Sequence, residues 1–157
     1  MEEIVQPEKP KKVYTEETLD KLMAEFNERL KIDTSDLFAD AAALPSTAAY
    51  FAGLLMEIEL EEQRAAALLG FEKSTLVLEF IESPEHFLRG TRHRNMQITE
   101  AVYRSHPRYR QAEEQLLIIS AIRRGLSQIM YAIDQKRDML NRLLESKNNQ
   151  FQKETKK

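Results

Sequence analysis

The sequence predicts an all-α protein made of long antiparallel helices with short ones between them, and three observations carry that prediction. Only 4 Gly and 5 Pro occur in 157 residues, too few for a fold rich in tight turns. Ala, Leu, Glu, Lys, Gln, Arg and Met, which lose little side-chain freedom in a helix, dominate the long segments. Apolar residues recur at three- and four-residue steps, and strand-like alternation is nearly absent. With 42% apolar and 31% charged residues, the length suits one compact domain or one elongated helical unit.

Residues 1–14 hold Pro7, Pro10 and a Lys-rich step, and read as a disordered arm ahead of a helical domain over 15–146. Thr15 is a good N-cap for a first helix, with Glu16 and Glu17 at its positive end. Leu19, Leu22, Met23, Phe26 and Leu30 then form one apolar stripe. A second, shorter helix is expected after a cap at Asp33 or Thr34, limited by Pro45. Ser46 or Thr47 caps a third, running to about Glu82, before Ser83-Pro84, and reaching ~54 Å if unbroken. Gly53 and Gly70 in it mark a bend or a close helix contact. The tract Leu76-Val77-Leu78 with Phe80-Ile81 is apolar nearly all round, which predicts burial on several sides.

Pro84 and Gly90 make the next stretch a loop or broken helix, followed by a short helix near Met96–Arg104. Pro107 then opens the last long helix, where its missing N–H does no harm. Tyr109, Ala112, Leu116, Ile119, Leu126, Met130, Ile133, Leu140 and Leu144 follow heptad-like steps, broken in register only at Arg123 and Arg137. A second set, including Leu117, Ile118, Ile122, Ile129 and Leu143, widens this face. Surplus apolar surface of that width favours self-association, and Leu116, Ile119, Leu126, Met130, Ile133, Leu140 and Leu144 are the candidate oligomerisation residues. The tail over 147–157 is expected to fray.

The net charge of −3 hides an asymmetry. From Glu16 to Glu62, 12 acidic residues face three basic ones, a balance of −9. From His86 to Arg110, six arginines face one acid, a balance of +5. A basic connector over 83–107 predicts an anionic partner, or neutralisation by the acidic half within or between subunits.

Candidate chemistry is sparse. The chain has no Cys, so disulfides and thiolate catalysis are excluded. Its four glycines stand alone, so no phosphate-cradling loop exists. His86 and His93 are seven apart, but Gly90 interrupts them and Arg89, Arg92 and Arg94 would repel a cation, so no metal site is expected. The carboxylates at Glu57, Glu59, Glu61 and Glu62 read as a solvated helix face, and no Ser or Thr stands in a nucleophile elbow. The expectation is a protein without catalytic activity, metal or cofactor. No apolar run approaches the ~20 residues of a bilayer span, and Met1–Lys12 is not a signal peptide, so a cytoplasmic location is expected.

What remains is the connector. Arginine suits bidentate phosphate contact, and Phe87, Tyr103 and Tyr109 interleave with the arginines as possible stacking platforms. The candidate nucleic-acid contacts are Lys73, Arg89, Arg92, Arg94, Arg104, Arg108 and Arg110, with Phe87 or Tyr103 stacking.

Ile32-Asp33 with Leu37, Asp40-Ala41-Ala42, an aromatic at Tyr50, and a C-terminal helix containing Ala132-Ile133 and Arg137 follow in that order over residues 18–144. In this layout the chain resembles the recombination mediator (UvsY) family of T-even-type bacteriophages. The resemblance implies a single-stranded-DNA-binding accessory protein that helps a RecA-like recombinase displace single-strand-binding protein. It implies a ring-like homo-oligomer joined by the C-terminal helix, and a host-cytoplasmic location. The chain departs from the family near the end of the long helix, where Ser74 to Ile81 carries no basic residue and only Lys73 precedes it. The rival expectation is a helical scaffold that binds only protein, its basic connector docking on an acidic helix.

Overall fold

A computed structural model describes residues 14–31, 35–87 and 96–154, together with Pro7 and Lys12. Among the described residues the secondary structure is entirely helical. Helix α1 spans Glu16–Arg29, α2 Leu37–Glu82, α3 Met96–Ser105 and α4 Pro107–Glu154, with a 3-10 turn at Pro84–His86 after α2. The chain divides into two compact units. One contains 59–121 and the N-terminal segment, the other 16–58 and 122–157.

In the second unit, α1, the first half of α2 and the second half of α4 form a small bundle. Leu37, Leu44, Phe51 and Ile58 recur every seven residues on α2 and are all buried. Ile122, Leu126, Ile129, Ile133 and Leu140 supply the buried face of α4. Phe26 of α1 meets Phe51 edge-on, with ring centroids 6.1 Å apart. Gly125 admits α1 closely, since a Cβ there would lie 2.8 Å from Leu19 Cδ1. The close contact thus falls at Gly125; at Gly53 and Gly70 an added Cβ would meet nothing within 4 Å.

In the first unit the rest of α2 runs antiparallel to the start of α4. The Ser120 hydroxyl donates to Glu62 at 2.6 Å, whereas Glu79, further along α2, meets the earlier Arg108. Ala65, Phe80, Ala112 and Ile119 are buried, and Leu76 packs with Tyr103 and Tyr109.

Three sequence expectations change. The predicted break at Pro45 is absent, because α2 runs through it as one helix. The buried stripe at Leu37, Leu44, Phe51 and Ile58 spans Pro45, so burial outweighs the lost backbone hydrogen bond. Asp36 caps α2, its Oδ1 accepting from the Ala39 N–H at 3.0 Å, while the predicted caps Asp33 and Thr34 lie outside the described residues. Helix α4 continues to Glu154, through most of the predicted fraying tail.

The third change concerns the tract near Leu76. Leu76 and Phe80 are buried, but Leu78 and Ile81 are exposed, so this part of α2 is covered on one side only. By length and composition α2 and α4 each hold a window apolar enough to cross a bilayer, which a search for unbroken apolar runs does not find.

Candidate nucleic-acid interface

The candidate contacts that are described gather in the first unit, where α3 turns into α4. The turn is tight. His106 N–H donates to the Tyr103 carbonyl at 3.1 Å, and the His106 carbonyl accepts from the Arg110 N–H at 3.1 Å. The imidazole adds a cap, its Nδ1 accepting from the Arg108 N–H at 3.3 Å. Pro107 follows it at the first helical position, where no donor is needed.

This corner brings Tyr103 and Tyr109 together, ring centroids 5.1 Å apart. Both are 8% exposed. The Lys73 ammonium lies 5.3 Å from the Tyr103 ring centroid, reaching it from α2. Arg104 pairs with Glu100 at 2.7 Å on the exposed face of α3. Its guanidinium is held further above an already high pKa by a hydrogen bond with Tyr103, and then by the Glu100 charge. Arg110 bends back so that its Nε donates to the Arg104 carbonyl at 3.2 Å, satisfying an acceptor in the last turn of α3. Burial raises the Tyr109 phenol above its ordinary value, and the Glu113 charge adds to this, against opposition from Arg104 and Lys73.

Lys73, Arg104 and Arg110 therefore present exposed cationic side chains around a pair of buried tyrosines. Arg108 faces other groups. Its Nη2 donates to both Glu79 carboxylate oxygens at 2.8 Å, and its Nε lies 3.8 Å from Glu72. The Glu79 hydrogen bond, more than the charges of Glu79 and Glu72, raises the Arg108 pKa. Phe87 is half-buried, edge-on to Phe80 at 5.9 Å and 6.4 Å from the His106 ring. It lines a cleft of roughly 410 Å³ with Glu79, Glu82, Ser83, His86 and His106.

The expected stacking platforms are thus built into the protein: Tyr103 packs with Leu76 and Tyr109, and Phe87 lies against that cluster. Leu76 opposite the corner needs apolar cover, and these rings supply it. Arg89, Arg92, Arg94 and His93 lie outside the described residues. Sequence reasoning missed the roles of Glu72, Glu79 and His106; a His directly before a helix-opening Pro was the one local signal for the cap.

The candidate oligomerisation residues also face inward. Ile119, Leu126, Ile133 and Leu140 are buried, and Leu116, Met130 and Leu144 half-buried, within the single chain. The seam expected to join subunits is occupied by the chain's own helices, because antiparallel α2 and, in the second unit, α1 offer matching apolar stripes. Among the described residues no group of three His, Asp or Glu converges as a metal site.

Comparison with protein-family models, with curated proteins and with solved structures gives no match.

Proposed function

We propose that this protein is a binding protein without catalytic activity or cofactor that engages the phosphate backbone of single-stranded DNA. In this reading it acts as a cytoplasmic recombination mediator, assisting a RecA-like recombinase against single-strand-binding protein as a homo-oligomer. The observation that supports it is the grouping of Lys73, Arg104 and Arg110 as exposed cations at one corner of the first unit. Backbone phosphates need charge and donors, not stacking rings, so the burial of Tyr103 and Phe87 leaves the contact to salt-sensitive electrostatics. Arg89, Arg92 and Arg94 follow 84–87 in the chain and extend the basic set in sequence.

The test is fluorescence anisotropy with a labelled single-stranded oligonucleotide over a salt series, and with duplex as competitor. Alanine at Lys73, Arg104 and Arg110 is expected to weaken binding and to reduce the log–log salt slope by about 0.7 per lost phosphate contact. The same result is expected for alanine at Arg89, Arg92 and Arg94. An intact wild-type chain that binds no DNA at low salt refutes the reading.

A second reading, a scaffold that binds only protein, draws on the carboxylates that already hold two of the arginines. Arg104 is engaged by Glu100 and Arg108 by Glu79. Under that reading the oligonucleotide titration is flat.

A further inference from the structure

Lys73 leaves α2 on the face that carries Leu69, Leu76 and Val77, four residues after the first and three and four before the others. Leu76 forms a buried cluster with Tyr103 and Tyr109, and Leu69 and Val77 pack against it. The stem of Lys73 therefore starts among apolar side chains while its charge has to reach solvent, the course of a snorkelling lysine. Lys73 is exposed, and its ammonium ends 5.3 Å from the ring centroid of Tyr103, a residue only 8% exposed. Tyr109 meets the same ring edge-on at 5.1 Å and Leu76 packs with it, which leaves little face for a nucleic-acid base.

The other two cations of the corner are tied to the same residue. Arg104 follows Tyr103 directly in α3 and hydrogen-bonds with its hydroxyl. Arg110 donates from Nε to the Arg104 carbonyl at 3.2 Å. Lys73 and Arg104 both oppose the rise in the Tyr109 pKa, so both charges lie close to the tyrosine pair.

We propose that Tyr103 is the positioning residue of this corner: its ring face holds the Lys73 ammonium ready for a strand phosphate, beside Arg104 and Arg110, and takes no base itself. A ring holds a cation differently from a carboxylate. Its quadrupole biases the ammonium toward one place by about two- to fivefold at an exposed site, without neutralising it. Arg108, by contrast, has its charge more than balanced by Glu79 and Glu72. The ring occupies one side of the ammonium, so N–H donors remain for a phosphate oxygen. A lysine free in solvent loses rotamer freedom when it meets a phosphate, and one already ordered over a ring loses less, which raises affinity. The ligand class that suits such a corner is the sugar–phosphate backbone, contacted through charge whatever the bases are.

Because this role rests on the single-strand reading, the anisotropy titrations at low salt are arranged so that the two can fail separately. Tyr103→Leu and Tyr103→Phe both lose the hydroxyl and keep apolar cover over Leu76, but only the second keeps the ring face. Tyr103→Phe is expected to bind a single strand about threefold more tightly than Tyr103→Leu. In a Lys73→Ala background the two are expected to bind alike, since the ring then has no lysine to hold, whereas a packing defect of the leucine variant would persist there. The difference is also expected to be the same on an abasic strand; a base-stacking ring would lose it when the bases are removed. One reading needs no variant: the Lys73 side-chain protons next to the ammonium should resonate upfield of those of other lysines, shifted by the ring current. Equal affinities of the two variants, a difference that survives Lys73→Ala or vanishes on the abasic strand, or ordinary Lys73 shifts overturn the proposal and leave the single-strand reading standing. A wild type that binds no strand at low salt refutes that reading and this role with it.

Discussion

The ammonium of Lys136 on α4 donates to the carboxylate of Asp40 in the first turn of α2 at 2.7 Å, and Lys136 is only 4% exposed. It also donates to the Lys31 carbonyl at 3.0 Å and approaches the Arg29 carbonyl at 3.5 Å, both at the end of α1. One buried cation thus holds the end of α1 and the start of α2 against α4, and its charge suits the negative helix end it caps. Replacing it by an apolar residue takes the cation away from the Asp40 carboxylate and leaves the Arg29 and Lys31 carbonyls without this donor. Lys136→Met is expected to lower the unfolding free energy by about 3 kcal/mol. Urea titration checks this, and adding Asp40→Leu should recover part of the loss, since the carboxylate that loses its cation is then removed as well.

Pro45 offers a prediction of opposite sign. It sits exposed inside α2, where it cannot donate to the Ala41 carbonyl. The Ser46 and Thr47 hydroxyls both donate to the neighbouring Ala43 carbonyl, at 2.8 and 3.3 Å. Because the helix persists through this position, Pro45→Ala restores a hydrogen bond without new packing. A gain of about 1–2 kcal/mol is expected, seen as a higher thermal midpoint. An unchanged or lower midpoint would mean that the local backbone is shaped around the ring.

These two positions show what the sequence could and could not convey. Helix type and the α4 seam were legible, because periodicity at Ile119, Leu126, Ile133 and Leu140 is a local signal of a buried face. The identity of the neighbour was not, since the same stripe serves a helix of its own chain or of another. Pro45 is a local stop signal, overridden by four buried residues spaced evenly across it. In the site, Arg104 and Arg108 look alike in sequence, and only the fold brings Glu79, 29 residues from Arg108, to one of them. Tyr103 reads as an aromatic among arginines until Leu76 is seen to lie against it.

Alkaline pH probes the tyrosine pair. The Tyr109 phenol is raised above its ordinary value, first by burial and then by Glu113. A raised folded-state pKa means the folded protein keeps a proton that the unfolded chain loses near pH ~10. The stability tied to the neutral phenol is therefore complete below about pH 10 and declines as pH rises through the folded value. Tyr109→Phe should show a shallower loss as pH rises above about 10 than the wild type. Urea midpoints across that range check the slope, and parallel curves would remove Tyr109 as the titrating group.

The last prediction turns on Glu79. Arg108 is flanked by two carboxylates, Glu79 bidentate to its Nη2 and Glu72 at 3.8 Å, so its charge is more than balanced within the protein. A phosphate arriving at the corner of Lys73, Arg104 and Arg110 gains nothing from an arginine already committed in this way. Glu79→Gln keeps the side-chain length but removes the nearer of the two competing charges, leaving Arg108 opposed only by Glu72 at 3.8 Å. The pair is half exposed, so its loss should cost stability no more than about 1 kcal/mol. If the corner binds DNA, the variant should bind single strands about 3- to 10-fold more tightly at low salt, with a log–log salt slope steeper by about 0.7. Anisotropy titrations of both proteins at matched salt decide it. If Arg108 instead serves only to fasten α4 to α2, the oligonucleotide affinity stays put and only the urea midpoint moves.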